Sequence, residues 1–212
     1  TPASVIRQLI APVIDRLGTS MILEPSAGKG DILDHLVEYH GIAKGNVYAI
    51  EANPELQFVL AGKGYRVLES DFLAFNEPYS FNLIIMNPPF SKGVDHLLKA
   101  WDVVAPGGAV CCLLNAETLR NPHTEKRKLL ARLVAEHGYS RALGQAFAGA
   151  PRHTDVDVSI VVLNRPETER LGVLDDATFD TDAPEREAAF DAAPLARRNM
   201  IQSLVDQYNA AV

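Results

Sequence analysis

The chain has 212 residues, 47% of them hydrophobic, and a formal net charge of −7. That is enough apolar material for one α/β domain with a modest appendage, and no stretch approaches the roughly 18–20 continuous apolar residues of a membrane span. Residues 167–212 hold ten acids and four bases while residues 1–166 hold seventeen and sixteen, so the body is near neutral, which excludes strong attraction to nucleic acid through its overall field alone.

In chain order, Val5, Ile6, Leu9, Ile10, Val13 and Leu17 recur at helical spacing and predict a helix from Ala3 to Leu17. Arg7 interrupts this early apolar run, so it does not read as a secretory signal, and the expected location is cytoplasmic. The chain starts at Thr1 without a methionine, as a domain cut from a longer protein would. Met21–Glu24 predicts a first strand, ending in Pro25-Ser26-Ala27-Gly28-Lys29-Gly30 before a helix from Asp31 to Tyr39. Val47–Ile50 follows as a strand closing on Glu51, and Pro54 opens a helix to Ala61. Tyr65–Glu69 is the third strand, leading to Ser70-Asp71-Phe72.

Phe81–Met86 predicts a fourth strand that runs directly into Asn87-Pro88-Pro89-Phe90. Gly93–Val104 reads as a helix, Pro106-Gly107-Gly108 as a turn, and Ala109–Leu114 as a strand. The adjacent Cys111 and Cys112 of that strand point to opposite faces, so they do not bridge each other and read as buried reduced thiols. No Cys/His cluster has the spacing of a metal site. Thr124–His137 predicts an amphipathic helix, with strands at 141–147 and 156–163 closing the domain. The polar–apolar alternation from Asp155 to Ile160 suggests a last strand with one wet side.

Strands alternating with helices imply βαβ units: a Rossmann-like, mostly parallel, seven-stranded sheet with helices on both faces, over residues 1–166. Residues 167–193 read as an acidic, solvated linker. Residues 194–212 read as a C-terminal helix with Met200, Ile201, Leu204, Val205 and Tyr208 on one face.

Four loops fall where an open α/β sheet binds ligands, at the carboxyl ends of its strands. The small residues Ser26, Ala27, Gly28 and Gly30 let backbone approach a ligand closely. Glu51 ends the second strand, where a carboxylate can accept from both hydroxyls of a ribose. Asp71 can accept from an adenine amino group while Phe72 covers the base. The fourth loop is the most telling. Two prolines straight after a buried strand do nothing for the sheet, since neither donates to a ladder. They fix a rigid turn with outward carbonyls, and Asn87 adds a side-chain carbonyl. An aromatic amino group is a poor nucleophile because its lone pair is delocalised. Two acceptors on its two hydrogens draw the nitrogen towards tetrahedral geometry, and Phe90 can stack on the base.

With these residues in this order, the sequence resembles the class I S-adenosylmethionine-dependent methyltransferases that modify amino nitrogens, and is most similar to the N6-adenine DNA methyltransferases. The resemblance covers residues 1 to about 165 and includes an upstream Thr-Pro, here Thr1-Pro2, that contributes to the cofactor site. It implies that S-adenosyl-L-methionine, with S-adenosyl-L-homocysteine as product, is held by Thr1, Pro25, Ser26, Ala27, Gly28, Gly30, Glu51, Asp71, Phe72 and Asn87. It implies that Asn87, Pro88, Pro89 and Phe90 form the catalytic turn, with DNA as partner.

One departure stands out. These enzymes usually carry a sizeable target-recognition region, and here only the 36 residues from Glu117 to Arg152 are available. Arg120, Lys126, Arg127, Lys128, Arg132, Arg141 and Arg152 outnumber Glu117, Glu125 and Glu136, a face that suits phosphates or simply solvent. Recognition supplied by a partner subunit or a further domain fits this gap. Other acceptors fit the same turn: an amino group of RNA adenine or guanine, or a glutamine side-chain amide of a protein. A non-catalytic cofactor-binding subunit is the reading from outside enzymology.

Overall fold

The computed structural model describes residues 1–77, 80–144 and 157–167. The strands are β1 Ile22–Glu24, β2 Val47–Ile50, β3 Arg66–Glu69, β4 Phe81–Met86, β5 Val104–Asn115, β6 Gly138–Gly144 and β7 Val158–Asn164. They form one sheet in the order β3-β2-β1-β4-β5-β7-β6. Pairing is parallel from β3 to β5, and β7 is antiparallel to both its neighbours. The helices are α1 Ala3–Ile10, α2 Asp31–His40, α3 Pro54–Gly62, α4 Gly93–Val103, α5 Glu117–Arg120 and α6 Glu125–His137. Strand order reverses between β1 and β4, so the crevice outside their carboxyl ends is where such a sheet binds ligands.

Alternation along each central strand divides the core into two layers. On one face Ile22, Val47, Ala49, Leu83, Ile85, Cys111 and Leu113 pack with the apolar faces of α1 and α2 and with Leu60. On the other, Leu23, Ile50, Ile84, Met86, Cys112 and Leu114 pack with α4 and Leu130 of α6. Cys111 and Cys112 therefore lie in different layers, both as free thiols. Burial pushes the Cys111 thiol up to about 12 and raises that of Cys112 as well.

Several expectations are corrected. The first helix stops at Ile10 and continues as a 3-10 segment, Ala11–Thr19. Pro12 has no N–H to give and its ring collides with the carbonyl four residues back. That carbonyl, on Gln8, instead accepts from Arg141 Nη2 at 3.4 Å. The turn at Pro106-Gly107-Gly108 is an excursion inside β5 rather than its start: Phe81 pairs with Val104, then Leu83 with Ala109, with Gly107 at φ 71° between them. The last strand has no wet side. β7 is buried from Val158 to Leu163, including Ser159, because its alternate side chains enter both core layers, Val158, Ile160 and Val162 on one face and Val161 and Leu163 on the other. β6 begins at Gly138, three residues earlier than expected, and the rest of its expected span lies outside the described residues. The four-residue α5 is unannounced in the sequence. It starts where Asn115 Oδ1 accepts from Glu117 N at 2.9 Å. The acidic segment beyond 167, the C-terminal helix and Arg152 lie outside the described residues.

Two contacts lock the far side of the sheet. Arg165, buried at the end of β7, donates through Nη1 to the carbonyls of Trp101 at 2.7 Å and Val104 at 3.0 Å, satisfying the carboxyl end of α4. Gly138 is needed because β6 meets β7 closely: a Cβ there would lie 1.8 Å from the Val162 carbonyl oxygen. Gly138→Ala is expected to destabilise the fold by about 3 kcal/mol by forcing the strands apart. Urea unfolding checks this, and an unchanged midpoint would contradict the packing.

Candidate active site

The loop after β1 is shaped by two glycines with different tasks. Gly28 and Gly30 have φ of 58° and 91°, a region that favours glycine. A Cβ on Gly28 would meet nothing within 4 Å, so the space above the loop is open. A Cβ on Gly30 would meet Leu60 Cδ2 at 2.9 Å, so that glycine lets α2 begin against α3. Ala27 N donates to the Ile50 carbonyl at 3.1 Å, and Gly28 N donates to Glu51 Oε2 at 2.6 Å. From behind, Lys63 Nζ donates to the Lys29 carbonyl and to Asp34 Oδ2, both at 2.6 Å. Tyr65 donates to Asp34 Oδ1 at 2.8 Å, and burial together with that bond raises its hydroxyl pKa, so it stays a donor.

Glu51 joins the first two loops. Its Oε1 accepts from Asn53 N at 2.9 Å, while Asn53 caps α3 through its own side chain. Each carboxylate oxygen has a second lone pair for a ligand hydroxyl. After β3, Asp71 is exposed and its Oδ1 accepts from Leu73 N at 2.9 Å. Phe72 is buried in the core layer under the site, with the His96 ring centroid 5.7 Å away. His96 Nδ1 lies 3.0 Å from the Lys92 carbonyl, and burial lowers its pKa, keeping the ring neutral at neutral pH.

The Asn87-Pro88-Pro89-Phe90 turn leaves the buried end of β4. Pro89 is extended at φ −54° and ψ 125°, and its carbonyl accepts from Lys92 N at 2.9 Å, closing a 3-10 turn over Phe90–Lys92. Among the described residues the Pro88 carbonyl has no backbone hydrogen-bond partner. Phe90 is half-buried against the layer that contains α1. Asn87 Nδ2 donates to Thr1 Oγ1 at 3.0 Å, and the Thr1 nitrogen meets the Asp31 carboxylate. Residues 86 positions apart thus meet at the proline turn.

Glu24, the last residue of β1, directly precedes the glycine loop and stands outside the four loop motifs. It is buried, burial pushes its carboxyl well above the ordinary value of 4.5, and its Oε2 has no hydrogen-bond partner. The signal in the sequence was an acid at the last position of a strand otherwise made of core residues. The basic run from Glu117 onwards changes in the opposite sense. Arg120 pairs with Glu117 at 3.2 Å and Asp157 at 3.3 Å, Lys128 with Glu125 at 2.8 Å, and Lys126 with Asp95. Three of its cations are therefore answered within the protein.

No family model and no curated protein sequence matches the chain. Solved structures do. The M protein of the type I restriction enzyme EcoKI superposes with a TM-score of 0.59 at 13% identity, over 78% of this chain and 43% of that one. A dimethyladenosine transferase from Plasmodium falciparum gives 0.58 at 16% identity, over 79% and 62%. An RNA methyltransferase from Salinibacter ruber in complex with S-adenosyl-L-homocysteine gives 0.51 at 13% identity, over 89% and 99%. The chain has the class I methyltransferase fold: a mostly parallel, seven-stranded sheet with its one antiparallel strand, β7, between β5 and β6.

Proposed function

We propose that the chain is an S-adenosylmethionine-dependent methyltransferase that modifies the N6 amino group of adenine in DNA. The observation that carries this reading is the Asn87-Pro88-Pro89-Phe90 turn at the switch point of the sheet.

The residues around β1 and β2 suit the cofactor. Open space over Gly28 admits its amino-acid moiety, the unpartnered Glu24 Oε2 offers an acceptor for the ammonium, and Glu51 offers two oxygens to the ribose. Asp71, with Phe72 beneath, takes the adenine end. When bound, S-adenosylmethionine supplies an electrophilic methyl carbon on a sulfonium. The Pro88 carbonyl and Asn87 Oδ1 accept the two hydrogens of the target amine, localising its lone pair. Phe90 stacks on the base, so the turn works by positioning. An adenine must leave its duplex to reach it, at a cost of a few kcal/mol. Once methylated, the amine is acidic enough to lose its proton to water, and no strongly basic side chain is required in the turn.

Target recognition is assigned to a partner subunit or a further domain, because the basic segment from Glu117 onwards is short and three of its cations, Arg120, Lys126 and Lys128, are answered by acids of the same chain. The test is incubation with labelled S-adenosylmethionine and, in parallel, DNA, RNA and protein. Label in DNA adenine is expected, and label confined to RNA or protein overturns the DNA assignment.

A further inference from the structure

The loop after β3 and the proline turn after β4 are bridged by a side chain that the transfer step does not use. His96 lies in the first turns of α4 and is 7% exposed. Its ring centroid is 5.7 Å from that of Phe72, and the neighbouring Asp71 is among the charges it feels. Its Nδ1 is 3.0 Å from the carbonyl of Lys92, the residue that closes the 3-10 segment after the prolines.

A carbonyl oxygen can only accept, so Nδ1 carries the ring proton. Burial keeps the ring neutral at neutral pH, which leaves Nε2 with a lone pair. Among the described residues that lone pair has no hydrogen-bond partner. Nε2 is not sealed in as Glu24 Oε2 and His35 Nε2 are, so a ligand can reach it. His96 is thus a buried acceptor of fixed identity, open on one side.

Two amino groups would enter this site, and their hydrogens decide between them. Both hydrogens of the target amine are taken by the Pro88 carbonyl and Asn87 Oδ1 in the reading above. The cofactor's adenine brings a 6-amino group with two hydrogens of its own. Asp71 Oδ2 can take one, Oδ1 being engaged by Leu73 N at 2.9 Å. The other needs a second acceptor, and Nε2 of His96, next to Phe72, is one.

We propose that His96 selects the adenine base of the cofactor, its Nε2 accepting the 6-amino hydrogen that Asp71 leaves. This rests on the reading that Asp71 and Phe72 take the adenine end. A purine without the amino group would leave both acceptors unpaired beneath it, and such sites discriminate strongly.

The test compares, by calorimetry, S-adenosylhomocysteine with its counterpart carrying hydrogen in place of the 6-amino group. The wild-type protein is expected to prefer the amino form by about 100-fold, from two hydrogen bonds of roughly tenfold each. His96→Phe keeps a ring without the lone pair, and its preference is expected to fall to about tenfold. Because the ratio is taken within one protein, a general loosening of the site lowers both affinities and leaves it unchanged. Nitrogen-15 NMR of wild-type protein with labelled histidine reads the same contact with no substitution. The Nε2 resonance of His96 should move further with S-adenosylhomocysteine than with the counterpart. An undiminished preference in His96→Phe, or an Nε2 resonance that answers both ligands alike, would overturn the proposal. Wild-type protein that binds both ligands equally would instead overturn the placement of adenine at Asp71.

Discussion

Asn87→Ala is expected to lower methyl transfer by at least about 10²–10³-fold, the scale seen when one preorganised hydrogen-bonding group is taken from a reacting centre. The cofactor loop should be little affected, because it is held by Glu51, Ile50 and Lys63 rather than by the turn. Affinity for S-adenosylhomocysteine should therefore stay within about fivefold, less than 1 kcal/mol. The separation of the two effects is the point of the measurement. If affinity falls as far as the rate, Asn87 is holding the site together through Thr1 rather than meeting the target. Rates at saturating cofactor, set beside calorimetry on the same preparations, distinguish the two.

Glu24→Gln should raise the melting temperature of the ligand-free protein at pH 8 while weakening cofactor binding at least about tenfold. The two effects have one cause. Glu24 is buried with one oxygen unpartnered, and burial raises its carboxyl pKa. For an acid whose folded pKa lies above its unfolded one, the fold is most favoured below the unfolded value and loses that advantage as pH rises through the folded value. Above that range the wild-type protein holds a poorly compensated buried charge, and glutamine removes it at the lesser cost of a buried amide. The gap in melting temperature between variant and wild type should therefore widen with rising pH and close in acid. A cationic ammonium beside Glu24 reverses the balance, so wild-type affinity should improve over the same rise in pH. If Glu24→Gln binds the cofactor as well as wild type, the carboxylate is structural and the ammonium is held elsewhere. Calorimetry and melting curves at two pH values decide.

Much of the fold was legible because local signals and tertiary demands agree. β2 and β4 have the expected bounds because both are short apolar runs closed by a residue that cannot continue the strand usefully, Glu51 in one case and Asn87-Pro88 in the other. Pro54 announces α3 and the amphipathic run from Thr124 announces α6, and the structure adds Asn53 and Thr124 as their caps. What escaped was set by contacts distant in sequence. The polar–apolar alternation before Ile160 reads as a strand with a wet side, yet core layers cover both faces of β7 and Ser159 is buried. Pro12 carries a visible signal, but the partner for the carbonyl it leaves, Arg141, lies 133 positions away.

The candidate site divides in the same way. The four loops could be read because each is a strand end with an unusual composition. The Thr1–Asn87 bond spans 86 positions and leaves no periodic trace. Glu24 looks like the last residue of a strand until its burial and its missing partner are seen. The charges from Arg120 to Lys128 could be counted but not paired, since two of the acids that answer them, Asp95 and Asp157, come from α4 and from beside β7.

The most direct measurement is the N6-methyladenine content of DNA from cells expressing the wild-type protein, set against cells expressing Asn87→Ala, with nucleosides resolved by mass spectrometry and sites located by sequencing. N6-methyladenine at defined sequences with the wild type, and only background with the variant, is the predicted result. Background levels with both proteins, while the purified wild type binds S-adenosylhomocysteine and labels RNA or protein instead, would contradict the assignment to DNA adenine.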